Sequence, residues 1–533
     1  MAAVAHRAPE APSSNPAAAD LSGLARKGSL SLIGGGVSAL CNLLLVVVIA
    51  RGVGRAEAGI FFTATSLFLL VESLSLLGTT TGLVFFIARL RALGEPQRAR
   101  ECLRAALVPV VALATVAGLL MLLAAPWLAD QLLPGDRGVL VPCLRVLGVA
   151  LPVAAVYDAI TAASRGFHDV RPSVYVEKVG RSGGQVLLVA TVLLAGGSLT
   201  VLTAAWAVPY AAGLAVLGFW LARLLARDTA ARHPSGRHAA EAPLRPEFWR
   251  YTLPRSLAAV AQMALQRLDI VLVGAFLGAA DAAVYTAATR FLVVGQLANQ
   301  SISLAVQPKL SELISREQLS EARLVYQAST GWLVLVTWPL YLLCAVGAPV
   351  LLELFGAGYS GGESVVVILS LTMLLATGTG MVDLMLMMAG RTSWNLMNVA
   401  VAFAVNLVAD LILIPTVGIE GAAIAWAAAI VVNNLLPLVQ VHRLLRAHPF
   451  GPGTVRAFVL AVGCYGVVPL VLRWVIGDAG IGLGAGIVVG SAGYAIGLRR
   501  YRRSLELSAL FVSLRSRSRR SRPMANSTGS HGP

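Results

Sequence analysis

Apolar residues fall into blocks of roughly 20 separated by short polar breaks, the length at which a helix crosses a ~30 Å hydrocarbon core. Strands of a membrane barrel would run about ten residues and alternate apolar with polar; no alternation is sustained over that length. The blocks predict fourteen spans, near 29–50, 59–78, 106–125, 144–163, 176–196, 200–222, 256–277, 283–302, 331–352, 365–389, 394–416, 421–440, 457–476 and 480–498. Arg145, Lys178 and Arg181 sit at the edges of the fourth and fifth. The fold class expected is an all-α polytopic membrane protein.

Charge tests that map independently. With the N-terminus on the cytoplasmic side, and Lys178 and Arg181 counted with that side, the cytoplasmic segments hold 35 of the 42 Lys and Arg. Arg51, Arg55, Arg137, Arg145 and Arg473 fall on the outer side, and Arg267 and Arg290 inside spans. Positive residues are retained on the cytoplasmic side, so both termini are expected there, in the cell membrane. The net charge of +16 then needs no nucleic-acid partner. The basic stretches 499–503 and 515–522 either rest on anionic lipid or simply fix topology.

Composition agrees, with 57% hydrophobic and 13% charged residues, more apolar than a water-soluble domain. Residues 1–24 are rich in Ala, Pro and Ser, lack the apolar core of a cleavable signal, and read as disordered. Cys41, Cys102, Cys143, Cys344 and Cys464 are scattered without a CxxC pair, which reads as packing and not as metal or disulfide chemistry. The seven histidines all lie in cytoplasmic segments, outer loops are short, and no catalytic set, P-loop or dinucleotide fingerprint can be assembled. The expectation is not an enzyme, with no cofactor.

The second half repeats the first at an offset near 224. GVGRAEAGIFFTAT at 52–65 returns as FLGAADAAVYTAAT at 276–289, and Ala125-Pro126 as Ala348-Pro349. An offset covering an even number of helices keeps both copies in one orientation, giving two parallel-repeat six-helix lobes. The division expected is a tail at 1–28, a first lobe at 29–222, a linker at 223–255, a second lobe at 256–445, two further helices at 446–498 and a basic tail at 499–533.

Several short segments follow one another in a recognisable order: ARKGSLSLIGGG at 25–36, ARGVGRAEAGIFFTAT at 50–65, QPKLSEL at 307–313, GAPVLLELFGAGY at 347–359 and PTVGIEGAAIA at 415–425. Over roughly 25–445 the chain resembles the polysaccharide transporter (Wzx-like) family of lipid-linked oligosaccharide flippases. The superfamily also holds multidrug and toxin extruders and peptidoglycan-precursor flippases. The resemblance implies alternating-access movement of an undecaprenyl-diphosphate-linked oligosaccharide to the outer leaflet, with glycan polymerase and glycosyltransferases as possible partners. An ion-coupled exporter of amphipathic small molecules and a non-transporting scaffold for glycan assembly are the rival readings.

A diphosphate needs cations inside the membrane, where each Arg costs at least ~2.5–3.5 kcal/mol. Arg267 in span seven and Arg290 in span eight are the candidate headgroup contacts, unless each is an ion pair with a neighbouring acid; Arg145 is weaker, being at an interface. The resemblance also implies an arginine in the eighth helix. Gln262, Gln266 and Asp269 follow i, i+4, i+7 spacing, so they share a face that serves either sugar hydroxyls or helix packing. Asp410, one turn from Asn406, and Asp383 and Glu72 are candidates for a coupling H+ or Na+; Asp158 reads as an ordinary edge carboxylate. The glycines at 34–36 and at 378 and 380 suit either bending or close packing.

Overall fold

The computed structural model describes residues 16–95, 98–230, 243–502 and 504–505. The first lobe contains α1 (Pro16–Gly52), α2 (Arg55–Ser75), α3 (Thr79–Ala92), α4 (Ala99–Leu123), α5 (Ala125–Leu132), α6 (Arg137–Gly166), α7 (Ser182–Leu194) and α8 (Leu199–Ala230). The second contains α9 (Leu244–Leu277), α10 (Ala279–Thr289), α11 (Val293–Ser315), α12 (Leu319–Val346), α13 (Ala348–Glu353), α14 (Glu363–Gly378), α15 (Val382–Met388), α16 (Thr392–Val417) and α17 (Ile419–Leu445). Then come α18 (Pro452–Ala461), α19 (Val468–Ile476) and α20 (Ala479–Arg500), packed against α12 and α13. The chain is a multi-pass membrane protein of helices, and no strand occurs among the described residues.

Among the described residues, twelve helical segments are long and apolar enough to cross a membrane, two fewer than the fourteen spans expected. The other two, 176–196 and 283–302, are helical but broken. A π-helical stretch at Ser173–Arg181 leads into α7, and a 3-10 turn at Arg290–Leu292 divides α10 from α11. Span two ends where expected, at Gly78, whose φ of +71° separates α2 from a further helix, α3, that runs to Ala92. Gly380, also at φ +71°, separates α14 from α15, so this glycine pair breaks its helix.

Boundaries move outward wherever good helix formers continue past the apolar block, which hydropathy does not register. The helix α1 starts at Pro16, so 16–28 is helical, where disorder was expected; 1–15 lies outside the described residues. Likewise α8 reaches Ala230 and α9 begins at Leu244, leaving 231–242 of the linker outside the described residues, as is 506–533 of the basic tail.

The repeated motifs sit at matching places. Gly54 and Gly278 precede α2 and α10, and the two Ala-Pro pairs open α5 and α13. Helices α2 and α10 cross between the lobes, and a Cβ on Gly59 would lie 1.6 Å from the Ala279 carbonyl oxygen. Small residues are what lets membrane helices approach so closely. Beside this crossing, Arg51 Nε donates to the Leu354 carbonyl at 2.7 Å and Arg55 Nη1 to that of Gly358 at 2.7 Å. At the opposite end of the molecule α3 packs on α9: Phe85 stacks on Tyr251 at 4.4 Å and Arg89 pairs with Glu247 at 2.5 Å.

Candidate functional site

Between the lobes lies a cavity of about 440 Å³, walled by α1, α2, α6, α7 and α8 on one side and by α9 and α10 on the other. Its first-lobe wall rests on an aromatic group in which Phe68 meets Trp206 edge-on at 5.6 Å and Tyr157 meets Tyr210 at 5.4 Å. Glu72, Asp158, Arg181 and Tyr210 project into it from this lobe, and Gln266, Arg267 and Arg290 from the other. Arg181 Nη1 donates to Tyr210 Oη at 3.0 Å, with the guanidinium 5.0 Å from the ring centroid, a cation–π distance.

Arg267 and Arg290, singled out as charges inside spans, both line this cavity. Arg290 enters from the 3-10 turn that breaks span eight, and Arg267 from mid-α9 beside Gln266. Neither makes an ion pair among the described residues, and the Nε of each, like that of Arg181, is buried without a hydrogen-bond partner. The structural ion pair weighed for both is therefore not made. Arg145 is exposed on α6 and does not line the cavity.

A second chamber of about 160 Å³ shares Asn42, Gln266, Arg267 and Arg290 with the first and adds Asp269, Tyr285, Gln296 and Trp426. Asp269 Oδ2 accepts from Tyr285 Oη at 2.9 Å. Behind it Asn406 Nδ2 donates to Asp410 Oδ2 at 2.7 Å, and the Asp269 and Asp410 carboxyl groups are within hydrogen-bonding reach of each other. The Oδ1 atoms of both remain unpartnered. Two buried negative charges so close repel each other.

The expected face of Gln262, Gln266 and Asp269 splits: Gln266 and Asp269 line the chambers, whereas Gln262 is exposed one turn away. Glu72 is in the main cavity wall, but Asp383 stands apart on α15, next to Tyr326. Two residues read as ordinary are in the site. Arg181, counted as a topology charge, and Asp158, read as an edge carboxylate, both line the cavity, Arg181 from the end of the π-helical stretch and Asp158 from α6. The i, i+4 pair Arg181 and Gln185, both lining the cavity, was the available signal.

The family described as polysaccharide biosynthesis protein matches residues 24–314, more than half of the chain. The chain belongs to that family. This bears out the resemblance over its first part, from the ARKGSLSLIGGG opening through QPKLSEL; the motifs from 347 to 425 lie beyond the match. Among curated relatives of this polysaccharide biosynthesis protein, "Probable low-salt glycan biosynthesis flippase Agl15" of Haloferax volcanii is 22% identical over 49% of the chain and 52% of its own length. "Stage V sporulation protein B" of Bacillus subtilis is 28% identical over 27% of the chain and 28% of its own length. The matches thus span about half or less of these relatives.

Solved structures share the fold. "Lipid II flippase MurJ, inward closed conformation" superimposes with a TM-score of 0.70 at 13% identity, covering 89% of this chain and 99% of that one. An inward-facing multidrug resistance MATE family transporter of the MOP superfamily gives 0.64 at 16% identity over 77% and 94%, and an outward-facing one 0.53 at 16% over 79% and 95%.

Proposed function

We propose that this chain is a flippase that moves an undecaprenyl-diphosphate-linked oligosaccharide from the inner to the outer leaflet of the cell membrane by alternating access. The observation that carries the reading is the trio Arg181, Arg267 and Arg290, whose Nε atoms are buried and unpartnered around one central cavity. Arg181 is held by Tyr210, but Arg267 and Arg290 have no ion-pair partner among the described residues, and unpaired guanidinium groups at membrane depth are costly. Their geometry suits phosphate oxygens, which an arginine fork grips by two hydrogen bonds at once. A small-molecule cation exporter calls instead for acids in the majority, while the main cavity sets three arginines against Glu72 and Asp158. The names of the relatives, two of them flippases, point the same way.

In this reading the end bearing Arg51 and Arg55 is outer, and the end bearing α3, the linker and both termini is cytoplasmic, consistent with the distribution of Lys and Arg. The Asp269–Asp410 pair with Asn406 and Tyr285 takes the coupling H+ or Na+, next to the substrate arginines, so that cation binding and headgroup binding influence each other electrostatically. Glycosyltransferases and a polymerase supply and consume the substrate on either side of the membrane.

The test is transport in vesicles. The purified chain is reconstituted with a fluorescent undecaprenyl-diphosphate oligosaccharide, and the sugar made accessible to an external glycosidase is followed over time. Transport that collapses in Arg290→Ala and Arg267→Ala is the expected result. Absence of transport by wild type, with and without H+ or Na+ gradients and with several glycans, refutes the reading.

A further inference from the structure

Arg290 ends α10, and the helix that follows carries a pattern the charges do not explain. On α11, Gln296, Asn299, Gln300, Ser303 and Gln307 recur at i, i+3, i+4, i+7 and i+11, which places them on one face. The direction of that face is fixed by Gln296, which lines the chamber shared with Arg267 and Arg290. One flank, with Val306 and Leu313, is buried against α12 and α15, and so is Leu310 one turn beyond Gln307, so the open part of the face ends at Gln307.

Gln296, Asn299 and Gln300 are exposed. Among the described residues no hydrogen bond is made by the side chains of Gln296, Gln300 or Gln307, and the only partner of the Asn299 side chain is Ser303, at 3.5 Å. Free amides facing lipid would be unsatisfied donors and acceptors, so this face belongs to water. Gln266 on α9, exposed and lining the same chamber as Gln296, adds another amide.

We propose that the amide face of α11 is the binding track for the sugars of the substrate, with Arg290 at its head holding the diphosphate. This rests on the flippase reading. Each amide offers both a donor and an acceptor, matching sugar hydroxyls that do both. From Gln296 to Gln307 the track is ~16 Å long at the helical rise, room for several sugar rings beyond the diphosphate. Its residues are neutral, so it selects hydroxyl-rich glycans and leaves charge recognition to the arginines.

The experiment measures affinity of the reconstituted full chain for two probes: undecaprenyl diphosphate, and the same lipid carrying a neutral tetrasaccharide. Wild type binds the glycan-bearing lipid more tightly. The variant Asn299→Leu/Gln300→Leu/Gln307→Leu weakens that binding tenfold or more, to the level of the bare lipid, while bare-lipid affinity stays as in wild type and reports an intact fold. Gln300→Ala alone is expected to cost about fivefold, the worth of one neutral hydrogen bond. Equal affinity of wild type for both probes, or equal losses for both in the variants, overturns the track alone. Wild type binding neither probe overturns the flippase reading and the track with it.

Discussion

Gly59 offers the sharpest test of how the lobes are held at the outer end. A methyl group there would stand 1.6 Å from the Ala279 carbonyl oxygen, whereas ordinary contact begins near 3.4 Å. The obstacle is backbone within α10, so no rotamer change relieves it, and α2 and α10 must part by about 1.8 Å. Forcing a methyl into a packed contact costs ~1–3 kcal/mol. On the proposed alternating-access reading that contact exists only while the outer end is closed, so the cost falls on one state. It shifts the closed-to-open ratio by about 5- to 150-fold.

The assay is a spin-label distance between Gly135→Cys and Gly361→Cys, one on the outer loops of each lobe and both in open space, after alanine replacement of the native cysteines. Gly59→Ala moves the distribution toward longer distances. Gly54→Ala leaves it unchanged, since a Cβ there meets nothing and its φ of −61° suits alanine. An unaltered distribution in a folded Gly59→Ala protein that still transports would refute the reasoning.

Three further outcomes follow from neighbouring features. Arg51→Ala with Arg55→Ala removes the hydrogen bonds to the Glu353, Leu354 and Gly358 carbonyls, each contributing ~1 kcal/mol at this exposed site, and lengthens the same spin-label distance. Asp410→Asn removes one charge of the carboxylate pair, so substrate binding persists while its dependence on an H+ or Na+ gradient is lost, read as transport with and without each gradient. His448, in the connection after α17, is pushed below the usual histidine range by burial and then by Arg323, which it contacts. Its neutral form is favoured by folding, so stability is full at higher pH and falls as the pH drops through the ordinary histidine range. Hydrogen exchange in 446–454 should quicken on acidification, and His448→Gln should abolish that change.

Much of the fold was legible because the bilayer imposes a length on apolar blocks that no other constraint imitates. The breaks were less so. Gly78 and Gly380 stop helices through left-handed backbone, which hydropathy ignores, and the turn at Arg290 looks in sequence like an uninterrupted polar-spotted span. Helix ends were misplaced outward of 29, 222 and 256 because Ala-, Leu- and Arg-rich segments remain helical in water.

The site divides by the same logic. Arg267 and Arg290 were found because a charge in mid-span is conspicuous, whereas Arg181 and Asp158, close to a span edge, had an innocent explanation in topology and solvation. Only the π-helical stretch before α7, invisible in composition, brings Arg181 to the cavity. Asp269 and Asp410 were each noticed, yet their pairing depends on α9 lying against α16, a long-range contact that spacing within one helix does not encode. The amides of α11 escaped because glutamine and asparagine depress hydropathy without breaking a span. Being uncharged, they become visible only once Gln296 shows which way the helix faces. On the proposed reading, intramembrane charge marks where a polar substrate is gripped, and the orientation of neutral amides marks what that substrate is made of.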